Sequence, residues 1–162
     1  MARFRLRLWP VWLHPLWSFF TALFMTAFGL NWLWEMAQMP AYAEMAAHSW
    51  GEIVLTCTVA TVGDGVITLA IYGVGALATR RLRWGLEGGW NVYATAALLG
   101  GAWAAAIKWR ALAFGRWSYT DRMPIVPVLD IGLWPLLQLT VLVPLALWIA
   151  TTWTRRRQTR DM

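Results

Sequence analysis

The sequence predicts an all-α integral membrane protein, a single-domain four-helix bundle with both termini in the cytoplasm. Three observations predict it. Of the 162 residues 59% are hydrophobic and only 14% are charged, too apolar a balance for a soluble domain of this size. Four apolar runs, about residues 16–39, 53–78, 90–113 and 131–153, each reach the length of about 20 residues that a spanning helix needs. Lys and Arg gather at the ends of these runs. Ten lie before the first, between the second and third, and after the fourth, against 4 on the opposite side. An excess of cations marks the cytoplasmic side, so the expected location is the inner (plasma) membrane. The four cations on the other side, Lys108, Arg110, Arg116 and Arg122, weaken that bias without reversing it.

Arg3, Arg5 and Arg7 precede the first run. Ala41-Tyr42-Ala43 imitates a small-x-small signal-peptide cleavage site, but the stretch before it carries Trp32, Trp34, Glu35 and Gln38. That stretch is too long and bulky for a cleavage region, so the run is read as a retained helix that ends at Pro40. A short connection with Glu44, His48 and Glu52 follows.

The run 53–78 could extend about 39 Å as a helix, yet it holds Gly63-Asp64-Gly65 near its middle. An isolated acid at that depth costs about 2.5–3.5 kcal/mol on insertion scales, so it needs a partner or a function. Helical spacing puts Cys57, Thr61, Asp64, Thr68 and Tyr72 on one face, and Leu55, Val59, Val62, Val66 and Leu69 on the other. The first face suits a protein interior and the second suits lipid. A basic loop (Arg80, Arg81, Arg83) closing on Gly88-Gly89 leads to the third run. There Ala96, Gly100, Ala104 and Lys108 form one i+4 row beside Ala97, Gly101 and Ala105, spacing that lets helices approach closely in lipid. A loop at 114–130 with Arg116, Trp117, Tyr119, Pro124 and Pro127 precedes the fourth run. That run contains Pro135, Gln138 and Pro144 and stops against Arg155, Arg156, Arg157 and Arg160.

Under this topology the unusual polar residues collect on the external side. Asn31, Glu35 and Gln38 share one helical face, either turned into the bundle or wet at the headgroups. Lys108 ends the small-residue row, and it either snorkels to the surface or pairs with Glu35 or the deeper Asp64. Asp64 is either helix-packing glue held by Thr61, Thr68 or a carbonyl, or a working acid. Arg116, Trp117 and Tyr119 offer a cation and two amphipathic aromatics beside Gln138, where Pro135 is expected to free backbone carbonyls. The expected ligand-binding set is Asn31, Glu35, Gln38, Asp64, Lys108, Arg116, Trp117, Tyr119 and Gln138, with Glu35 and Asp64 as candidate catalytic acids.

Other chemistries lack their residues. Cys57 is the single cysteine, and no HExxH, CxxC, GxSxG or Gly-rich phosphate loop occurs. No metal and no cofactor are expected. The net charge of +6 sits at run ends with no polar face around it, so nucleic acid is not an expected partner. The expected partners are the lipid bilayer, a lipid-soluble small molecule, and a membrane partner subunit or a second copy of the chain.

Separated pieces carry a resemblance: N-W-L-W-E-M-A-Q-M-P (31–40), G-D-G (63–65), G-R-W-S-Y-T-D-R-M-P-I-V-P (115–127) and G-L-W-P-L-L-Q (132–138). Together they resemble a group of small, uncharacterised bacterial multi-pass membrane proteins. Lys108 departs from that group's pattern, which favours an acid there. The aromatic-then-proline loop is also loosely similar to the membrane carotenoid hydratases and lycopene cyclases. The polar residues above are expected to wall an externally facing intramembrane pocket that binds or transforms a lipid-soluble molecule, and the resemblance implies one of isoprenoid type. A small carrier or proton pathway through Asp64, or a non-catalytic assembly subunit of a membrane complex, are the alternative expectations.

Overall fold

The computed structural model describes residues 14–160, and the N-terminal cations Arg3, Arg5 and Arg7 lie outside the described residues. The chain is largely helical. The long helices are α1 (His14–Gln38), α2 (Trp50–Thr79), α4 (Trp90–Ala113) and α5 (Leu133–Arg160), with a one-turn α3 (Trp84–Glu87) between α2 and α4. Three stretches, Leu16–Ala41, Trp50–Thr79 and Leu133–Arg160, are long and apolar enough to cross a membrane. Although α4 is 24 residues long, its Trp and Gly residues and the polar Asn91, Lys108 and Arg110 lower its hydropathy.

Each boundary has a local cause. The first helix gives way at Gln38 to a 3₁₀ turn, Met39–Ala41, that carries Pro40. The second starts three residues before the expected position because Ser49 and Glu52 form a capping box. Glu52 donates its backbone N–H to Ser49 Oγ (3.4 Å), and Ser49 donates its own to Glu52 Oε2 (2.8 Å). The loop expected at 79–90 contains α3. It is held by Trp84 Nε1 donating to Tyr72 O (2.9 Å) and by Arg155, whose guanidinium donates to the terminal carbonyls of Leu86 and Glu87.

The 114–130 loop corrects the all-α expectation in one place. Ile125–Val126 (β1) pairs antiparallel with Ile131–Gly132 (β2), and Asp130 sits in the turn at φ 52°. Consequently α5 begins at Leu133, which puts Pro135 in its first turn, where a backbone N–H would have no helical acceptor anyway. The expected disruption of the ladder by Pro135 is therefore corrected: it frees no carbonyl. At the other end α5 runs past the apolar stretch to Arg160.

Packing follows the spatial order α2–α1–α5–α4. Contacts are extensive between α1 and α2, α1 and α5, and α4 and α5, while α2 and α4 touch only lightly. The small-residue row explains the closest of these. Ala96 and Ala104 are buried, and a Cβ at Gly100 would come within 2.3 Å of the Leu139 carbonyl oxygen. On α2 Cys57, Thr61, Thr68 and Tyr72 of the inner face are buried, with Asp64 half-buried, and Leu55, Val59, Val62 and Val66 are exposed, as the periodicity expects; Leu69 departs from it, half-buried against the apolar core. Two apolar clusters result. One surrounds Phe19, Leu23, Tyr72 and Leu147, and the other joins Met39, Tyr42, Met45, Cys57 and Met123. Along α1 and α2 a polar layer lies between them.

Candidate functional site

Gln138 of α5 is the hub of this layer. Its Nε2 donates to Asn31 Oδ1 (3.0 Å) and Glu35 Oε1 (2.9 Å) on α1 and to Asp64 Oδ2 (3.0 Å) on α2. Its Oε1 accepts from Gln38 Nε2 (3.0 Å). One amide thus ties three helices together, and it can do so because Asn31, Glu35 and Gln38 share a face of α1. The face reading of that trio, and not the wet-headgroup one, matches their burial: Asn31, Glu35, Gln38 and Gln138 are all buried. Nε2 carries two hydrogens and meets three oxygens, so one acceptor is left a hydrogen short.

The two glycines beside Asp64 differ in role. A Cβ at Gly65 would approach Phe24 Cε2 to 2.7 Å, so this glycine lets α1 close on α2. At Gly63 a Cβ would meet nothing within 4 Å. That open side belongs to a cavity of about 220 Å³ in the α2–α4 cleft. Glu35, Asp64 and Lys108 supply its charged wall, Met39, Met45, Ile67, Ile107 and Trp117 its apolar wall, and Tyr42 closes one end. Ala60, Gly63 and Ile107 are exposed at its rim, on the lightly packed side.

Lys108 reaches this cavity from the end of the small-residue row. The expected direct pair with Glu35 or Asp64 is corrected. Arg81–Glu87 is the one ion pair among the described residues, and Lys108 Nζ instead donates to Tyr42 Oη (3.2 Å), 5.5 Å from the centre of that ring. Both carboxylates instead bond to Gln138 of α5. Tyr42 is buried and packs against Trp117 and Tyr119 at 5.7 Å each, bridged to Tyr119 through the backbone. Burial, then the neighbouring Glu35, pushes the Tyr42 hydroxyl well above its usual range, so it stays protonated. With its oxygen occupied by Lys108, its own proton is free for a ligand.

The expected site residues therefore divide. Glu35, Asp64, Lys108 and Trp117 line the cavity, while Gln138 stands behind the carboxylates and holds both, and Asn31 bonds only to Gln138 and to the Ala27 carbonyl. Gln38 lines a different cavity, Tyr119 lies behind Tyr42, and Arg116 is exposed and lines neither. Thr68 donates to the Asp64 backbone carbonyl (2.8 Å), and Thr61 Oγ1 is buried without a partner, so neither hydroxyl holds the Asp64 carboxylate. Sequence reasoning missed Tyr42, Met39 and Met45. The 39–47 stretch lacks a helical or strand period that would aim these side chains inward, and Ala41-Tyr42-Ala43 read only as a rejected cleavage site.

No family model, curated protein or solved structure matches the chain. The functional reading accordingly stands on the chemistry of the site.

Proposed function

We propose that this chain is a multi-pass, four-helix inner-membrane protein with cytoplasmic termini that binds or transforms a lipid-soluble molecule, of isoprenoid type, in the α2–α4 cavity. One observation carries the reading: two carboxylates, a lysine and a tyrosine hydroxyl converge on a cavity whose rim opens on the lipid-facing side of α2. At about 220 Å³ the cavity is smaller than a typical pocket for a drug-sized ligand, about 300–1,000 Å³. It suits a polar end group, with the hydrocarbon tail leaving over Ala60, Gly63 and Ile107 into the bilayer. Tyr42 donates to the end group, Lys108 attracts negative charge on it, and the Glu35–Asp64 pair accepts or delivers a proton in a water-poor site.

The cluster around Phe19, Leu23, Tyr72 and Leu147 seals the layer towards the α3 end. That plug favours a dead-end pocket over a carrier or proton pathway through Asp64, which needs a path to both faces. An assembly subunit needs no converging polar end at all. The test is site-specific photocrosslinking in cells. Benzoylphenylalanine at position 60, on the rim, should capture one discrete lipid-soluble species. At position 59, on the exposed face, it should capture bulk phospholipid. Identical adducts at both positions contradict the reading.

A further inference from the structure

A second cavity, of about 370 Å³, lies between α1 and the start of α5 and shares no wall residue with the first. Trp34 of α1 and Trp134 of α5 flank it, joined by Trp34 Nε1 donating to the Trp134 carbonyl (3.2 Å), with Ala37 and Gln38 along α1 and Arg122 at its edge. The Arg122 side chain makes no hydrogen bond or ion pair with any described residue; its backbone N–H donates to Thr120 Oγ1. Gln38 is 6% exposed, and its Oε1 has no partner.

The network fixes what that atom is. Asn31 Nδ2 donates to the Ala27 carbonyl (2.8 Å), so Asn31 turns Oδ1 to Gln138. Gln138 must then offer Nε2 to Asn31 and the two carboxyls, leaving Oε1 for Gln38. Gln38 must in turn offer Nε2, and the free atom is an acceptor. A buried acceptor without a donor is destabilising, so a ligand that donates there recovers that loss. We propose that this cavity is a second binding site, for an anionic phospholipid whose headgroup carries a hydroxyl. Its phosphate meets Arg122, its hydroxyl donates to Gln38 Oε1, and an acyl chain lies along Trp34, Ala37 and Trp134. The proposal rests on the membrane reading above but not on the ligand of the first cavity.

The experiment is native mass spectrometry of the full chain in neutral micelles, titrated with dioleoyl-phosphatidylglycerol, dioleoyl-phosphatidylcholine or glycerol phosphate. Phosphatidylglycerol should bind more tightly than phosphatidylcholine. Arg122→Gln and Gln38→Leu should each weaken it about fivefold without changing phosphatidylcholine binding. Gln38 also supports Gln138, so Ala37→Phe gives a second arm. Residue 37 is exposed and outside the polar network, and the larger ring should fill the cavity and abolish the preference. Equal binding of the two lipids, or an unchanged preference in Ala37→Phe, overturns the site. Glycerol phosphate binding as tightly as phosphatidylglycerol overturns the lipid assignment. Either failure, with the discrete adduct at position 60 retained, leaves the first cavity's reading untouched.

Discussion

Lys108 shows how a single side chain departs from its sequence pattern. Its place on the small-residue row marks it as inward-facing, and it is; but the row does not reveal which acceptor awaits it. Its partner is Tyr42, 66 residues earlier in the chain. Interhelical hydrogen bonds in membranes average about 0.6 kcal/mol with a maximum of about 1.7, because the alternative states also find partners. A charged donor on a buried hydroxyl belongs at the upper end of that range. A double-mutant cycle of Lys108→Met with Tyr42→Phe should thus give a coupling energy of about 1–1.5 kcal/mol, measured by unfolding in mixed micelles. The same cycle with Glu35→Gln should give less, since Glu35 bonds to Gln138. A larger coupling to Glu35 than to Tyr42 would restore the direct ion pair.

At the scale of elements, the long helices were legible and their connections were not. Apolar run length and inward-facing periodicity placed all four to within a few residues, except where α5 extends past its apolar stretch to Arg160. The Ser49–Glu52 capping box is present in the sequence as Ser-x-x-Glu, and it sets the start of α2 inside the stretch expected as loop. The β1–β2 hairpin was not readable, because two-residue strands have too few positions to show alternation. Nor was the clip between the two connections. Glu44 Oε1 accepts from the Ser118 N–H (2.6 Å) and hydroxyl (2.8 Å), 74 residues away. Burial works against ionisation there, but the hydrogen bonds from its own N–H and from Ser118 outweigh it and hold the Glu44 carboxyl below its ordinary 4.5. A lowered folded value means the clip's stabilisation is fully present above 4.5 and is lost as pH falls through the folded value. Protection of the Ser118 amide in hydrogen exchange, corrected for intrinsic rate, should therefore fall below that pH. Glu44→Gln should remove the pH dependence, and a pH-independent wild type would rule out the clip.

For the whole molecule, the polar residues of the site could be named from sequence because polar atoms in apolar runs stand out. Their division into wall and support could not, because it depends on which helix pairs pack tightly. Tight α1–α5 packing brings Gln138 onto the α1 trio, while the lightly packed α2–α4 side leaves room for a ligand. The proposed reading is that a lipid-soluble molecule occupies this room. Its most direct test is quantitative mass spectrometry of lipids that co-purify with the wild type and with Gly63→Trp. A side chain at Gly63 enters open space, so the variant should fold, and an indole should close the rim. A discrete lipid-soluble compound near one per chain in the wild type, lost in Gly63→Trp while bulk phospholipid is unchanged, is the predicted result. The same lipids in the same amounts from both proteins would contradict it.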